Sequence, residues 1–176
     1  MVLGRGRTAR LACDLVGVSA ADHVVDVGCG PGAAAREAAR RGAEVTGVDP
    51  ASVMLGMARR LTAGDLAVRW TEGVAEDLPL PDETATVVWS LATVHHWPRL
   101  DEGLAEARRV LKPGGRLLAI ERQTRPGAKG LASHGWIRDQ AEAFAERCRE
   151  AGFTDVTVER HKPGWVPQLS VLGIRP

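Results

Sequence analysis

Residues Val24 to Gly32, Val-Val-Asp-Val-Gly-Cys-Gly-Pro-Gly, restrict the fold more than any other stretch of the chain. A β-branched run that stops on an acid and then on three alternating glycines predicts a buried strand feeding a tight turn. Glycine has no Cβ and tolerates positive φ, so Gly28, Gly30 and Gly32 let the backbone turn sharply and let a bound molecule touch the main chain. Ala33 onward, Ala-Ala-Ala-Arg-Glu-Ala-Ala-Arg-Arg, is strong helix-forming sequence, and the free N–H groups at its start face the same spot. Strand, glycine turn and helix start converge on one pocket.

The same unit then repeats. Ala43 to Val48 reads as a second strand closing on Asp49-Pro50, and Val53, Met54, Met57, Ala58 and Leu61 follow at helical spacing. Further strands are expected at Leu66–Trp70, Thr84–Ser90, Arg116–Glu121, Phe153–Arg160 and Leu169–Ile174. Helices are expected over Leu100–Leu111 and around Ile137–Cys148, and an amphipathic one at the N-terminus over about 5–18. Strands alternating with helices imply an α/β, Rossmann-like, doubly wound sheet with helices on both faces. Ligands in such sheets lie beyond the carboxyl ends of the strands. The glycine turn, Asp49, the Leu78–Asp82 proline loop and Ser90–Trp97 all follow strand ends, so they are expected to line one cleft.

A chain of 176 residues fits one domain, 1–176, with a core over about 22–121 and a C-terminal helix and strand pair over about 135–175. The formal charge nearly cancels at +1, which argues against a general nucleic-acid or acidic-membrane binder. Apolar runs are too short to span a bilayer, so no membrane partner is expected. Cys13, Cys29 and Cys148 are odd in number, widely spaced and lack a Cys-x-x-Cys pair, as expected for reduced thiols in a cytoplasmic protein.

Gly28, Gly30 and Ala33 match a dinucleotide fingerprint, with Asp49 about 20 residues on for a ribose hydroxyl. Asp26 shifts that reading. A carboxylate just ahead of the glycines repels a pyrophosphate and suits a ligand carrying an ammonium group. Taken with Val-Thr-Gly-Val-Asp-Pro at 45–50, Gly-Val-Ala-Glu-Asp-Leu-Pro-Leu-Pro-Asp at 73–82, Val-Val-Trp-Ser at 87–90, His-His-Trp at 95–97 and Val-Leu-Lys-Pro-Gly-Gly-Arg-Leu at 110–117, the chain resembles the class I S-adenosylmethionine-dependent methyltransferases. Within them it resembles the small-molecule, ubiquinone/menaquinone-biosynthesis-like subgroup, and the likeness covers roughly Asp22 to Glu121.

That resemblance implies a seven-stranded sheet in the order 3-2-1-4-5-7-6, strand 7 antiparallel, and S-adenosyl-L-methionine as cofactor. It implies that Asp26 and the backbone of Gly28, Cys29, Gly30 and Gly32 hold the methionine part, and that Asp49 takes the ribose hydroxyls. Pro50 and Met54 would flank the adenine, Ala75 and Glu76 would meet its edge, and Ser90 would pass under the methionyl group. Two positions depart from the pattern: Val74 stands where an acid is common, and Ala85-Thr86 stands where a Phe-Asp pair is common.

The expected partner is a small-molecule acceptor, and the expected assembly a monomer or homodimer. If the acceptor is a phenol or alcohol, a base must take its proton, and His95 and His96 lie just beyond the fourth strand. Adjacent residues point different ways, so the two are not expected to act together. His23, His134 and His161 are scattered without ligand-like spacing, so no metal site is expected. Arg122, Arg125, Lys129 and Arg138 read as a solvated basic face, on a connection too short for a cap domain. The glycine fingerprint keeps an NAD(P)-dependent oxidoreductase as an alternative, although the chain has no tyrosine for a Tyr-x-x-x-Lys pair. A non-catalytic cofactor-binding scaffold is the other alternative.

Overall fold

A computed structural model describes residues 3–128 and 134–176. The chain opens with α1 (Leu3–Leu15) and then alternates β1 (His23–Val27), α2 (Ala33–Arg40), β2 (Glu44–Asp49), α3 (Ser52–Leu61), β3 (Val68–Glu72) and β4 (Ala85–Leu91). After a 3-10 turn at Val94–His96 come α4 (Leu100–Val110), β5 (Leu111–Arg122), α5 (Arg138–Glu150), β6 (Thr154–His161) and β7 (Gln168–Ile174). The strands form one sheet in the order β3-β2-β1-β4-β5-β7-β6. The β1, β2, β3, β4 and β5 pairings are parallel, and β7 runs antiparallel to both β5 and β6. This is the topology that the family resemblance implies.

Both faces are covered, and the period of two in each strand sorts its side chains between them. Val25, Val27, Val88, Leu117 and Ala119 face α4 and α5, meeting Leu104, Ala107, Phe144 and Cys148. Val24, Val45, Val87, Trp89, Leu118 and Ile120 face the other way, onto Ala12 and Cys13 of α1, Val16 just beyond it, and Ala35, Ala38 and Ala39 of α2. Small alanines on α2 let that helix sit close to the sheet. The fully buried Trp89 fills the space between them, and truncating a side chain of that size in a core costs about 3–5 kcal/mol.

Two elements differ from the pattern expected of the sequence. The third strand lies at Val68–Glu72, two residues later than the apolar alternation suggests, because its edge position leaves only one neighbour, β2, to set its register. The fifth strand starts at Leu111, directly after α4, and its pairing with β4 jumps from Ala85–Leu111 to Val87–Arg116. Lys112 to Gly115 bulge out of the ladder there. Pro113, which cannot donate a ladder hydrogen bond, is accommodated in that bulge. Of the connection after β5, residues 129–133, and with them Lys129, lie outside the described residues.

Candidate active site

The topological switch of the sheet lies between β1 and β4, and the strands' carboxyl ends place the motif residues around it. The amides of Gly28 and Cys29 both donate to Val48 O, at 2.8 and 3.0 Å, which fixes the glycine turn beside the end of β2. Asp49, nearly buried, spans the same junction: Oδ2 accepts from Gly30 N at 2.8 Å and Oδ1 from Ala51 N at 2.9 Å.

The three glycines do different work. A Cβ on Gly28 would fall 2.7 Å from Thr93 Oγ1, and one on Gly32 would fall 2.1 Å from the ring of Trp70. Those two glycines admit the protein's own side chains. Only at Gly30 is the Cβ direction open, with nothing within 4 Å, so this is where the main chain is free for a ligand. Cys29 is buried, its thiol lies 3.6 Å from Gly30 O, and burial pushes its pKa well up, which makes it a neutral filler of the turn.

Asp26 shares a face with Val24 and lies opposite Trp89 in the β1–β4 register, under the first turn of α2. It is 2% exposed, and its Oδ2 has no hydrogen-bond partner among the described residues. Burial raises its pKa to about 7; the nearby Trp89 indole and Ala35 amide oppose the rise, and Asp49 adds to it. A carboxylate held in that state is stabilised by a cationic ligand group placed against it.

Pro50, Glu72, Gly73, Val74, Asp77 and Pro79 line a cleft of about 380 Å³ beside Asp49. Pro50 is therefore where an adenine-flanking residue is expected, and Asp77 supplies a carboxylate in a cleft where Val74 supplies none. Met54 is partly exposed on α3. Between the cleft-lining Val74 and Asp77, Ala75 is buried among core residues, and Glu76 Oε1 accepts from Arg99 N at 3.2 Å. The second departure from the family pattern is remote. Thr86 donates to Asp22 Oδ1 at 2.7 Å at the amino-terminal end of the strands, away from the cleft.

Beyond β4 the chain turns through Ala92, whose positive φ of 61° costs about 1 kcal/mol for a residue with a Cβ. Ala92 N donates to Ile120 O at 2.8 Å, which ties this strained residue to β5. Thr93 Oγ1 donates to Val27 O at 3.0 Å, so its partner, the buried Ser90 hydroxyl, donates to Thr93. Ser90 thus anchors the loop to β1. The 3-10 turn that follows sets the rings of His95 and His96 side by side, 4.0 Å between centroids, in contrast to the expected divergence of neighbouring side chains.

Glu121, at the end of β5, carried no recognisable signal in the sequence beyond closing a strand. It is 1% exposed, its Oε1 accepts from His95 Nδ1 at 3.0 Å, and its Oε2 has no partner among the described residues. The hydrogen bond to Glu121 raises the His95 pKa against the opposing effect of burial. Burial, then His95 and His134, lower that of His96. His134 joins the pair, 5.4 Å from His95 and 6.1 Å from His96 between ring centroids. On the basic face, Arg138 pairs with Glu142 and Arg122 Nε donates to His134 O.

A family model described as "Methyltransferase domain" matches residues 25–119, more than half of the chain. The chain belongs to this methyltransferase family. A demethylmenaquinone methyltransferase of Tropheryma whipplei is 40% identical over 114 residues, 64% of this chain and 46% of that protein. A 27-O-demethylrifamycin SV methyltransferase of Amycolatopsis mediterranei is 36% identical over 152 residues, 82% of this chain and 52% of that protein. The chain spans about half the length of these curated relatives. The crystal structure of a SAM-dependent methyltransferase from Aquifex aeolicus superposes with a TM-score of 0.80 at 20% identity, covering 96% of this chain and 89% of that one. Membership in this family favours the methyltransferase reading of the glycine turn over the oxidoreductase one, and the sequence resemblance implies S-adenosyl-L-methionine as its cofactor. The residues fit that cofactor: the orphaned Asp26 oxygen suits its ammonium, and the open Cβ direction at Gly30 admits its close approach.

Proposed function

We propose that the chain transfers the methyl group of S-adenosyl-L-methionine to a small molecule bearing a phenolic, enolic or alcoholic hydroxyl. The observation that carries the donor half is the buried carboxylate of Asp26, whose Oδ2 has no hydrogen-bond partner among the described residues. When bound, S-adenosyl-L-methionine supplies a sulfonium methyl already activated for displacement. Asp26 would hold the ammonium, Asp49 the ribose hydroxyls, and the Pro50–Val74–Asp77 cleft the adenine. Little else is asked of the protein than to align the acceptor and exclude water.

The acceptor half rests on His95. With Nδ1–H committed to Glu121, Nε2 carries the lone pair, the arrangement of a histidine oriented as a general base. His95 takes the hydroxyl proton at Nε2, and the buried Glu121 carboxylate stabilises the imidazolium that forms. Deprotonating a phenol or enol also activates its ring or α-carbon, so this chemistry covers transfer to oxygen and to carbon. The two curated relatives named above, a quinone-pathway and an antibiotic-modifying methyltransferase, support an acceptor of this kind.

A cytoplasmic setting and action as a monomer or homodimer are part of the proposal. The three free, buried cysteines support the first. Among the described residues, no helix is long and apolar enough to cross a membrane. Calorimetric titration with S-adenosyl-L-methionine, its demethylated product and NAD, followed by turnover against a panel of phenols and enols, tests the reading. Binding of the first two and methylation of a panel member are expected. Binding of NAD alone would overturn the donor assignment, and tight donor binding without transfer to any hydroxyl would favour a scaffold.

A further inference from the structure

Three histidines from two separate segments meet beside Glu121, at the carboxyl end of β5. One ring nitrogen from each of His95, His96 and His134 lies within 4.8 Å of the others, and all three residues are exposed. Such a gathering is electrostatically unfavourable when the rings are protonated, so it needs a structural cause. The fold supplies one on each side. Ser90, Thr93 and the strained Ala92 fix the 3-10 turn that carries His95 and His96. The return of the chain to β5 fixes His134: Trp136 N donates to Arg122 O at 2.9 Å, Thr124 N donates to Trp136 O at 2.8 Å, and Arg122 Nε donates to His134 O at 3.2 Å. Gly135 has φ 132°, and a Cβ there would fall 2.1 Å from Arg122 O, so only glycine lets His134 come this close to the end of β5.

We infer that His95, His96 and His134 form a three-histidine site for one borderline-soft divalent cation of the Zn²⁺ class, with Glu121 as the carboxylate that orients His95. Imidazole nitrogens suit such ions, and a tetrahedral ion with Zn–N bonds of about 2.0–2.1 Å holds its ligands about 3.4 Å apart. The observed separations are at or below 4.8 Å, and rotation of exposed rings closes the difference. His95 meets a second requirement. Metal-bound histidines almost always donate their other ring N–H to a carboxylate or carbonyl, and Nδ1 does so to the buried Glu121. Three protein ligands leave a fourth position open to water or to an oxygen of a bound molecule, the arrangement of a reactive site in contrast to a closed structural one. The ion takes up the His95 lone pair that the proposed base uses, so a loaded site cannot act as that base.

The test reads metal binding, and is therefore separate from the methyl-transfer reading. The full chain, stripped with a chelator, is titrated with Zn²⁺ against a chromophoric competitor, and with Co²⁺ while the visible spectrum is followed. One equivalent bound in the submicromolar range and the intense bands of tetrahedral Co²⁺ are expected. His96→Ala and His134→Ala each abolish both, and Glu121→Gln weakens Zn²⁺ binding about 10- to 100-fold, the range for losing an orienting partner. Because the His134 side chain is exposed, its alanine variant keeps the wild-type thermal midpoint and circular dichroism, which separates a lost ligand from a lost fold. Wild-type affinity no tighter than that of His134→Ala, or Glu121→Gln binding as tightly as wild type, overturns the inference. Failure of the base reading would show differently, as undiminished turnover of His95→Ala in chelator.

Discussion

At the proposed donor end, Asp26, Gly30 and Asp49 come from two consecutive strands and the turn between them, and their hydrogen bonds run largely through backbone amides. At the proposed acceptor end, His95, Glu121 and His134 come from a 3-10 turn, the end of β5 and a returning loop, and meet through side chains. The first end is a local construction repeated by its own sequence; the second exists only because β4 and β5 are neighbours and Gly135 lets the chain close on Arg122. A local, backbone-built site tolerates little variation in sequence, whereas a side-chain site assembled from distant segments can be rebuilt for a different acceptor without disturbing the donor.

If that contrast is right, damage at the two ends separates kinetically. The largest effect is expected for His95→Ala in the metal-free protein: kcat for a methylated acceptor falls about 100- to 10,000-fold, the range of a lost general base, while donor affinity measured by calorimetry is unchanged. A parallel loss of donor affinity would break the division between the two ends. Asp49→Ala comes next, weakening donor binding about 100-fold through the loss of charge-assisted hydrogen bonds, and affinity within twofold of wild type would show the ribose assignment to be wrong.

Asp26 sharpens the donor end through pH. Its pKa in the free protein is raised to about 7, so below that pH the carboxyl is neutral and cannot pair with an ammonium. Donor affinity should rise as pH climbs from 6 to 7, by up to about tenfold per unit, and level off above. The sign for stability is opposite. Below about 7 the folded protein keeps a proton that the unfolded chain has already released, so the thermal midpoint of the free protein falls as pH rises from the ordinary carboxylate range to about 7. Asp26→Asn should flatten both profiles, and a pH-independent donor affinity in the wild type would remove the ammonium assignment. The smallest effect is expected at Glu76. Its carboxylate is engaged by Arg99 N, so Glu76→Gln should change donor affinity by less than about twofold; a larger loss would support its place at the adenine edge.

The sequence by itself determined the sheet and the glycine turn at its switch point. Apolar alternation and β-branched runs mark the central strands because those bury both faces, and the glycines, Asp26 and Asp49 mark the turn because backbone geometry there depends on residues close in the chain. Local rules of that kind also located His95 and His96. Tertiary structure alone decided which glycine stays open, since Thr93 and Trp70, which fill the space at Gly28 and Gly32, are distant in sequence. It also decided that Ala75 belongs to the core, that the two neighbouring rings stand together, and that Glu121 and His134 join them. The physical reason is common to these cases. Contacts between side chains far apart in the chain depend on strand order, on one strained residue at Ala92 and on a single close approach at Gly135, and none of these leaves a periodic trace in the sequence.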